Sequence, residues 1–262
     1  MLKKLISSHT TAKPTHYDID AHLYDEFMGE PNLSTINTCI ENILKKHKVK
    51  SVLDVTCGTG IQVFWLAQHG FDVVGSDINA KMLSVARRKA KRQKIKLQFM
   101  QADMRNVQAG KFDAVISIFN AVGHLTKSDF LRTMRNVHNS LNARGIFVFD
   151  IFNLTYLLRG DNISKMSYDK QIVQGKVKIR SIQFSTIDES GLFPSYTFIT
   201  EHKPGAKLKL KQEAQSLQVY TAKQLTEMLH KTGFKVINKC EIDGSAFSET
   251  KSERMLIVAR KI

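Results

Sequence analysis

Between residues 51 and 151, short runs of Val, Ile, Leu and Phe alternate with stretches whose apolar residues recur every three or four positions. The short runs suit strands buried on both faces, and the wider spacing suits amphipathic helices. Strands are therefore expected at 51–55, 71–75, 95–100, 112–118 and 146–151. Helices are expected at 61–69, with Val63, Phe64 and Ala67 on one face, and at 81–93 and 128–141. Gly70 ends the first, and Gly145 closes the last in a turn. Strand and helix in regular alternation are the mark of βα units, so the prediction is an α/β fold built on a Rossmann-like parallel sheet.

The flanks follow other rhythms. Residues 33–46 read as a helix covering the sheet edge, while 14–29 are aromatic and polar without a clear period. Beyond Asp150, residues 154–219 alternate apolar and polar positions, as in the run from Phe193 to Thr200. Pro204-Gly205 then suits the centre of a type II turn, so an antiparallel β insertion is expected after strand five. A helix at 221–232, with Thr221 as N-cap and Gly233 as terminator, leads to a closing antiparallel hairpin at 234–242 and 254–260. Three parts result: an N-terminal helical cap at 1–48, a core made of 49–153 and 220–262, and an insertion at 154–219 that is the candidate acceptor-binding element.

Composition narrows the class. The 262 residues are 42% hydrophobic, and no run approaches the roughly 18 apolar residues of a membrane span. The basic N-terminus holds only Leu5-Ile6 as an apolar stretch, too little for a secretory signal. Cys39, Cys57 and Cys240 are scattered, odd in number and without CxxC spacing, so neither a disulfide framework nor a metal site is expected, and the reading is a reducing cytoplasm. The net charge of +15 invites a polyanion such as nucleic acid, an anionic membrane surface or a phosphorylated substrate. Its densest run, Arg87 to Arg92 with Lys94 and Lys96, falls on an expected outer helix and reads first as a solvated face.

The residues with chemical meaning sit at strand ends. The first strand runs into Asp54-Val55-Thr56-Cys57-Gly58-Thr59-Gly60 and then directly into a helix. Glycines let the chain turn sharply and a ligand approach, and the helix N-terminus offers unpaired N–H groups. Such a loop alone is shared by many nucleotide binders. Asp77, seventeen residues after Gly60 at the end of strand two, is placed to accept hydrogen bonds from ribose hydroxyls. Those two features still permit NAD. At the end of strand three, Asp103 can accept from an adenine amino group while Met104 packs on the ring.

In this order, the loop, the ribose acid and the adenine acid resemble motifs I, II and III of the class I S-adenosylmethionine methyltransferases, over residues 50–151. The resemblance implies S-adenosylmethionine as cofactor. It also implies that Asp54, Thr56, Cys57, Gly58 and Gly60 hold the methionine portion, Asp77 and Ile78 the ribose side, Asp103 and Met104 the adenine, and Ile118 and Phe119 the end of strand four. Thr56 departs from the pattern, since many members have Gly or Ala there. Cys57 has no paired base in the sequence and reads as packing beneath the turn.

The segment Ser117 to Leu125 lacks the Asn/Asp-Pro-Pro-Tyr/Phe signature of base and amide methylation, and no Pro-Cys pair suggests C5-pyrimidine chemistry. Through Phe112-Asp113-Ala114-Val115, Gly123-His124-Leu125 and Tyr24-Asp25 it is similar to small-molecule N-methyltransferases of the nucleotide-sugar amine and glycine/sarcosine types. That implies a small-molecule acceptor, acidic or phosphorylated if the basic balance is used to bind it, with His124 and Tyr24 beside the reacting atoms. His124 is either a base for the acceptor amine or a residue orienting the loop, and Tyr24 either closes over the cofactor or staples the N-terminal segment. Tyr17, Tyr196 and His202 are weaker candidates. An RNA-modifying enzyme, drawing on the lysines of 203–211, and a non-catalytic binder of the cofactor or its demethylated product remain alternatives. A nicotinamide dehydrogenase is disfavoured by glycine spacing that is not GxGxxG. Monomer and homodimer both stay open.

Overall fold

The structure is a computed structural model that describes residues 24–27, 33–160 and 165–262. The expectations for 1–23, Tyr17 included, lie outside the described residues. In chain order the elements are α1 (Tyr24–Phe27), α2 (Leu33–Lys46), β1 (Ser51–Asp54), α3 (Ile61–Gln68), β2 (Asp72–Asp77), α4 (Ala80–Gln93), β3 (Gln98–Gln101) and β4 (Phe112–Ser117). A 3-10 turn (Ala121–His124), α5 (Lys127–Ser140), β5 (Leu141–Phe152) and α6 (Leu154–Leu157) follow. The remainder is β6 (Met166–Gln174), β7 (Val177–Ser185), β8 (Leu192–His202), β9 (Lys209–Gln218), α7 (Ala222–Lys231), β10 (Phe234–Cys240) and β11 (Arg254–Lys261).

Seven strands form one sheet in the order β10-β11-β5-β4-β1-β2-β3, with β1, β2, β3, β4 and β5 parallel and β11 antiparallel to β5. The chain steps outward from β1 through β2 and β3, then restarts on the other side with β4. Adjacent loops diverge where that order reverses, and the crevice at the carboxyl ends of β1 and β4 is where such sheets accept ligands.

The sheet is covered on both faces, which is why its strands are apolar at successive positions rather than at alternate ones. Leu53, Val115, Phe147, Phe149 and Ile257 point into the layer with Phe130 and Met134 of α5 and Leu225 and Leu229 of α7. Their neighbours Val52, Ala114, Ile116, Val148 and Val258 point the other way, against Ile40 and Leu44 of α2, Val63 and Leu66 of α3 and Leu83 of α4. Most of the basic run falls on the outer side of α4, whose inner side buries Met82, Leu83, Ala86 and Ala90, while Lys89 is half-buried and turns to Asp25.

Two of the boundaries that differ from the sequence reading have a local cause. Strand three begins at Gln98 rather than at residue 95, because α4 ends with Lys94 in the left-handed region (φ 57°) and the Ile95 amide bonds back to Ala90. Lys94 and Ile95 are used in capping. Gly145 does not close α5 in a turn: the helix ends at Ser140, the positive φ (62°) belongs to Arg144, and 141–152 runs as one strand. Glycine is needed at 145 for space, since a Cβ there would lie 3.0 Å from the Asp113 carbonyl oxygen and 3.1 Å from that of Asn142.

The insertion forms a separate antiparallel sheet, β6-β7-β8-β9. Its β8–β9 connection holds the expected turn: Gly205 has φ 77° and the Ala206 amide donates to the Lys203 carbonyl. The insertion starts and finishes at one seam, where Asn153 bridges Tyr220 and the Val219 amide donates to the Gly191 carbonyl at 2.8 Å. A Cβ on Gly191 (φ 82°) would sit 2.2 Å from the Val219 carbonyl oxygen, whereas one on Gly205 meets nothing within 4 Å. Gly205→Ala is expected to cost about 1–2 kcal/mol for the left-handed backbone alone. Gly191→Ala should cost about 2 kcal/mol more, as the seam is forced apart. Urea unfolding of the two variants checks this contrast, and equal losses would contradict the tight seam.

Candidate active site

The residues after β1 turn on Gly58 (φ 51°) and Gly60 (φ 89°), and Gly60 is the N-cap of α3. Four amides of this loop are already used inside the protein. Thr56 N–H donates to Asp54 Oδ1 (3.1 Å), Cys57 N–H to the Ser76 carbonyl (2.9 Å), Gly58 N–H to Asp77 Oδ2 (2.8 Å) and Gly60 N–H to the Cys57 carbonyl (2.7 Å). A diphosphate would need such amides free. Beside the loop stand two acids instead, Asp54 and Asp77.

Asp54 is fully buried, and burial pushes its pKa up to about 7; the Thr56 amide opposes the rise and the charge of Asp77 adds to it. Burial also raises Asp77, against hydrogen bonds from the Asn79, Gly58 and Ile78 amides. Its Oδ1 accepts from Asn79 N–H at 2.8 Å, and Asn79 in turn caps α4 by accepting from Lys81 and Met82. Each oxygen of Asp77 thus carries an amide hydrogen bond and keeps lone-pair capacity for a ligand hydroxyl.

A cleft opens at this edge. Thr56, Cys57, Gly58, Asp77, Ile78, Met104, Ile118, Phe119, His124 and Tyr24 all line it, so ten of the sequence-predicted residues are brought together. Asp54, Gly60 and Asp103 are not among the lining residues. Asp54 lies beneath the loop, and Gly60 starts the helix. Asp103 is engaged elsewhere: Arg105 grips it through Nε (3.0 and 2.9 Å) and a terminal nitrogen (2.5 Å), its amide adds a bond at 2.9 Å, and Arg105 also reaches Asp129. Burial would raise the Asp103 carboxyl, but the hydrogen bonds and charge of Arg105 hold it below the usual range.

The Thr56 hydroxyl pairs with that of Ser117 at the end of β4 (3.0 Å). The Cys57 thiol is packed under the turn and kept protonated by burial and by the charges of Asp54 and Asp77. Asp25 of α1 accepts from the Thr59 hydroxyl and pairs with Lys89 of α4, which docks α1, and Tyr24 with it, against the glycine loop. A wider concavity of about 540 Å³ lies between α2 and β10; it shares no lining residue with the cleft.

The sequence reading missed Thr59, Ile61, Gln62, Asn79, Met82 and Ala121 as cleft residues. Asn79 carried a usable signal, as an Asn directly before an amphipathic run. Gln62 is held by a buried hydrogen bond to Asn37 of α2, a partner that no local pattern indicates. Among the described residues, no group of three or more His, Cys, Asp or Glu side chains could hold a metal ion, and no helix is long and apolar enough to cross a membrane.

Comparison with known proteins gives a consistent set. A family model described as a methyltransferase domain matches residues 52–145. The protein named "Putative methyltransferase YqeM" from Bacillus subtilis (strain 168) is 27% identical over 246 residues, covering 92% of this chain and 95% of that one. A glycine/sarcosine N-methyltransferase of Parasynechococcus marenigrum (strain WH8102) is 38% identical over 122 residues, 45% of this chain and 43% of that enzyme. In fold, the sugar N-methyltransferase KedS8 from Streptoalloteichus sp ATCC 53650 matches with a TM-score of 0.78 at 18% identity, covering 100% of this chain and 98% of that one.

The buried acid gives a test of its own. With a folded-state pKa of about 7 against the usual 3.8, ionisation of Asp54 opposes folding. Stability from its neutral form is full below about pH 4 and is lost as pH rises through about 7. At about 1.4 kcal/mol per pH unit, the loss is on the order of 4 kcal/mol. Asp54→Asn should therefore raise the thermal midpoint of the ligand-free protein at pH 8 and leave it nearly unchanged at pH 4. Melting curves at the two pH values decide it; a lower midpoint at pH 8 would contradict the buried, costly charge.

Proposed function

We propose that this chain, a class I S-adenosylmethionine-dependent methyltransferase, moves the methyl group onto an amine nitrogen of a small molecule. The observation that carries the cofactor reading is the glycine loop with four of its amides bonded within the protein and two acids beside it, a setting that suits a sulfonium and an ammonium better than a pyrophosphate. In support of a small acceptor, no Lys or Arg stands among the described residues lining the cleft. The two N-methyltransferases named above act, by their names, on glycine or sarcosine and on a sugar.

On this reading Asp77 takes the ribose hydroxyls, Asp54 with the loop faces the ammonium end, and Met104 and Ile78 pack on the adenine. Asp103, locked to Arg105, holds the turn that presents Met104. Ile118 and Phe119 close the end of the cleft nearest the acceptor. When bound, the cofactor supplies an electrophilic methyl group on sulfur. The protein's part is alignment and exclusion of water, since an in-line displacement asks for no protein nucleophile. An ammonium acceptor must first lose a proton to free its lone pair, and His124 on the 3-10 turn takes it. Tyr24 covers the cleft from α1. The insertion at 154–219 selects the acceptor: β9 packs on the same turn, where a Cβ on Gly123 would lie 3.3 Å from Leu217 Cβ. Three buried free thiols fit a reducing compartment, which supports the cytoplasm as the location.

The charge of +15 keeps RNA as the second reading. Against it, several of the basic side chains are paired: Arg180 with Asp169, Lys209 with Glu201 and Lys89 with Asp25.

A screen of amines, amino sugars, hydroxylated aromatics and RNA, scored by S-adenosylhomocysteine release, is expected to return an amine. Turnover with RNA alone would replace this reading with the second. Asp77→Ala should weaken S-adenosylhomocysteine binding more than tenfold by calorimetry. With the amine found, His124→Asn should lower kcat by about 100-fold near neutral pH, the usual scale of lost acid–base catalysis, and recover at high pH. Unchanged rates would remove the base role.

A further inference from the structure

Phe119 (φ 66°) and Asn120 (φ 57°) follow β4 as two successive non-glycine residues in the left-handed region. Each conformation costs an L residue about 1–2 kcal/mol, so something must hold the pair in place. The holder is Asp150, near the end of β5 and completely buried. Its carboxylate accepts the Phe119 amide at 2.5 Å and the Asn120 amide at 3.2 Å. These are charge-assisted bonds, about twice as strong as neutral ones.

A buried carboxylate is itself tolerable only when paired. Arg254, at the start of β11 and 104 residues away in sequence, supplies the charge through Nε (3.2 Å) and a terminal nitrogen (2.6 Å). The guanidinium carbon lies 5.8 Å from the ring centres of both Phe119 and Phe152. Phe119 is therefore held twice, by its amide on the acid and by its ring on the base that neutralises the acid. A trans peptide points its carbonyl opposite to its N–H. Fixing these two N–H groups on Asp150 turns the Ile118 and Phe119 carbonyls to the other side, and both residues line the cleft.

We propose that Asp150 and Arg254 are positioning residues that set the conformation of the Phe119–Asn120 loop, and through it the wall that Ile118 and Phe119 give to the donor cleft. The inference rests on the cleft being the S-adenosylmethionine site, and not on the identity of the acceptor. It is tested on the full chain with S-adenosylhomocysteine as probe, so an empty acceptor screen leaves it standing. Failure of the unaltered chain to bind the probe would instead sink the cofactor reading.

Arg254→Gln and Asp150→Asn should speed hydrogen exchange in a peptide spanning 117–126 at least tenfold and weaken probe binding at least fivefold. Arg254→Lys, which keeps the charge, should stay within threefold of the unaltered chain in affinity. If Asp150→Asn does not fold, the two Arg254 variants decide the matter. Unchanged exchange at 117–126 with unchanged affinity overturns the proposal. So does faster exchange spread evenly over β5, β10 and β11 with affinity intact, which would mark a pair that only stabilises the sheet.

Discussion

The carboxyl edge of the parallel sheet depends on one recurring bargain between loop amides and carboxylates. Chain leaving a strand has N–H groups that no neighbouring strand satisfies, and a buried N–H without a partner costs about as much as a lost hydrogen bond. At four places an acid answers: Asp54 for Thr56, Asp77 for Gly58 and Asn79, Asp103 for Arg105, and Asp150 for Phe119 and Asn120. The loops gain fixed shapes, and the edge gains negative charge, only part of which is neutralised by Arg105 and Arg254. Asp77 holds its two oxygens on the Gly58 and Asn79 amides beside the glycine loop. The same bonds that settle the backbone thus make the cleft hospitable to a positively charged methyl donor.

Much of this was legible in the sequence because it is local. Burial of the sheet on both faces writes continuous apolar runs, so the βα rhythm of 51–151 could be read without knowing any contact. The places of Asp54 and Asp77 followed from counting residues to the strand ends. Capping set the limits of that reading. The left-handed turns at Lys94 and Arg144 occur without glycine, so nothing in the residue types marked where α4 ended or where 141–152 began to run as strand. Asp103 was placed correctly in the chain, but its grip by Arg105 two residues on was not foreseen. The Asp150–Arg254 pair joins two strands far apart in the chain, and no spacing rule reaches so far.

This division between local and distant contacts also separates two tasks. Gly58, Asp77 and Met104 fall within 54–104, a contiguous stretch of two βα units and the strand that follows them. The loop after β4 instead depends on β5 and on a C-terminal strand that arrives only after the whole insertion. Asn153 reinforces that junction: its side-chain amide donates to the carbonyls of Glu249 (2.8 Å) and Ser252 (2.9 Å), and its oxygen accepts from Thr155. Together, Asp150 and Asn153 fasten the chain on either side of residue 250 to the end of β5.

The seam between Asn153 and Tyr220 has one more consequence. Paired backbones in a sheet lie about 5 Å apart, so the strands between leave and rejoin the core through a gap that a very short link would close. Lengthening, shortening or replacing them alters no strand order in the larger sheet. If the insertion selects the acceptor as proposed, a lineage could exchange the whole four-stranded piece, as a tool is changed in a fixed handle, and explore new molecules while the larger sheet is inherited intact.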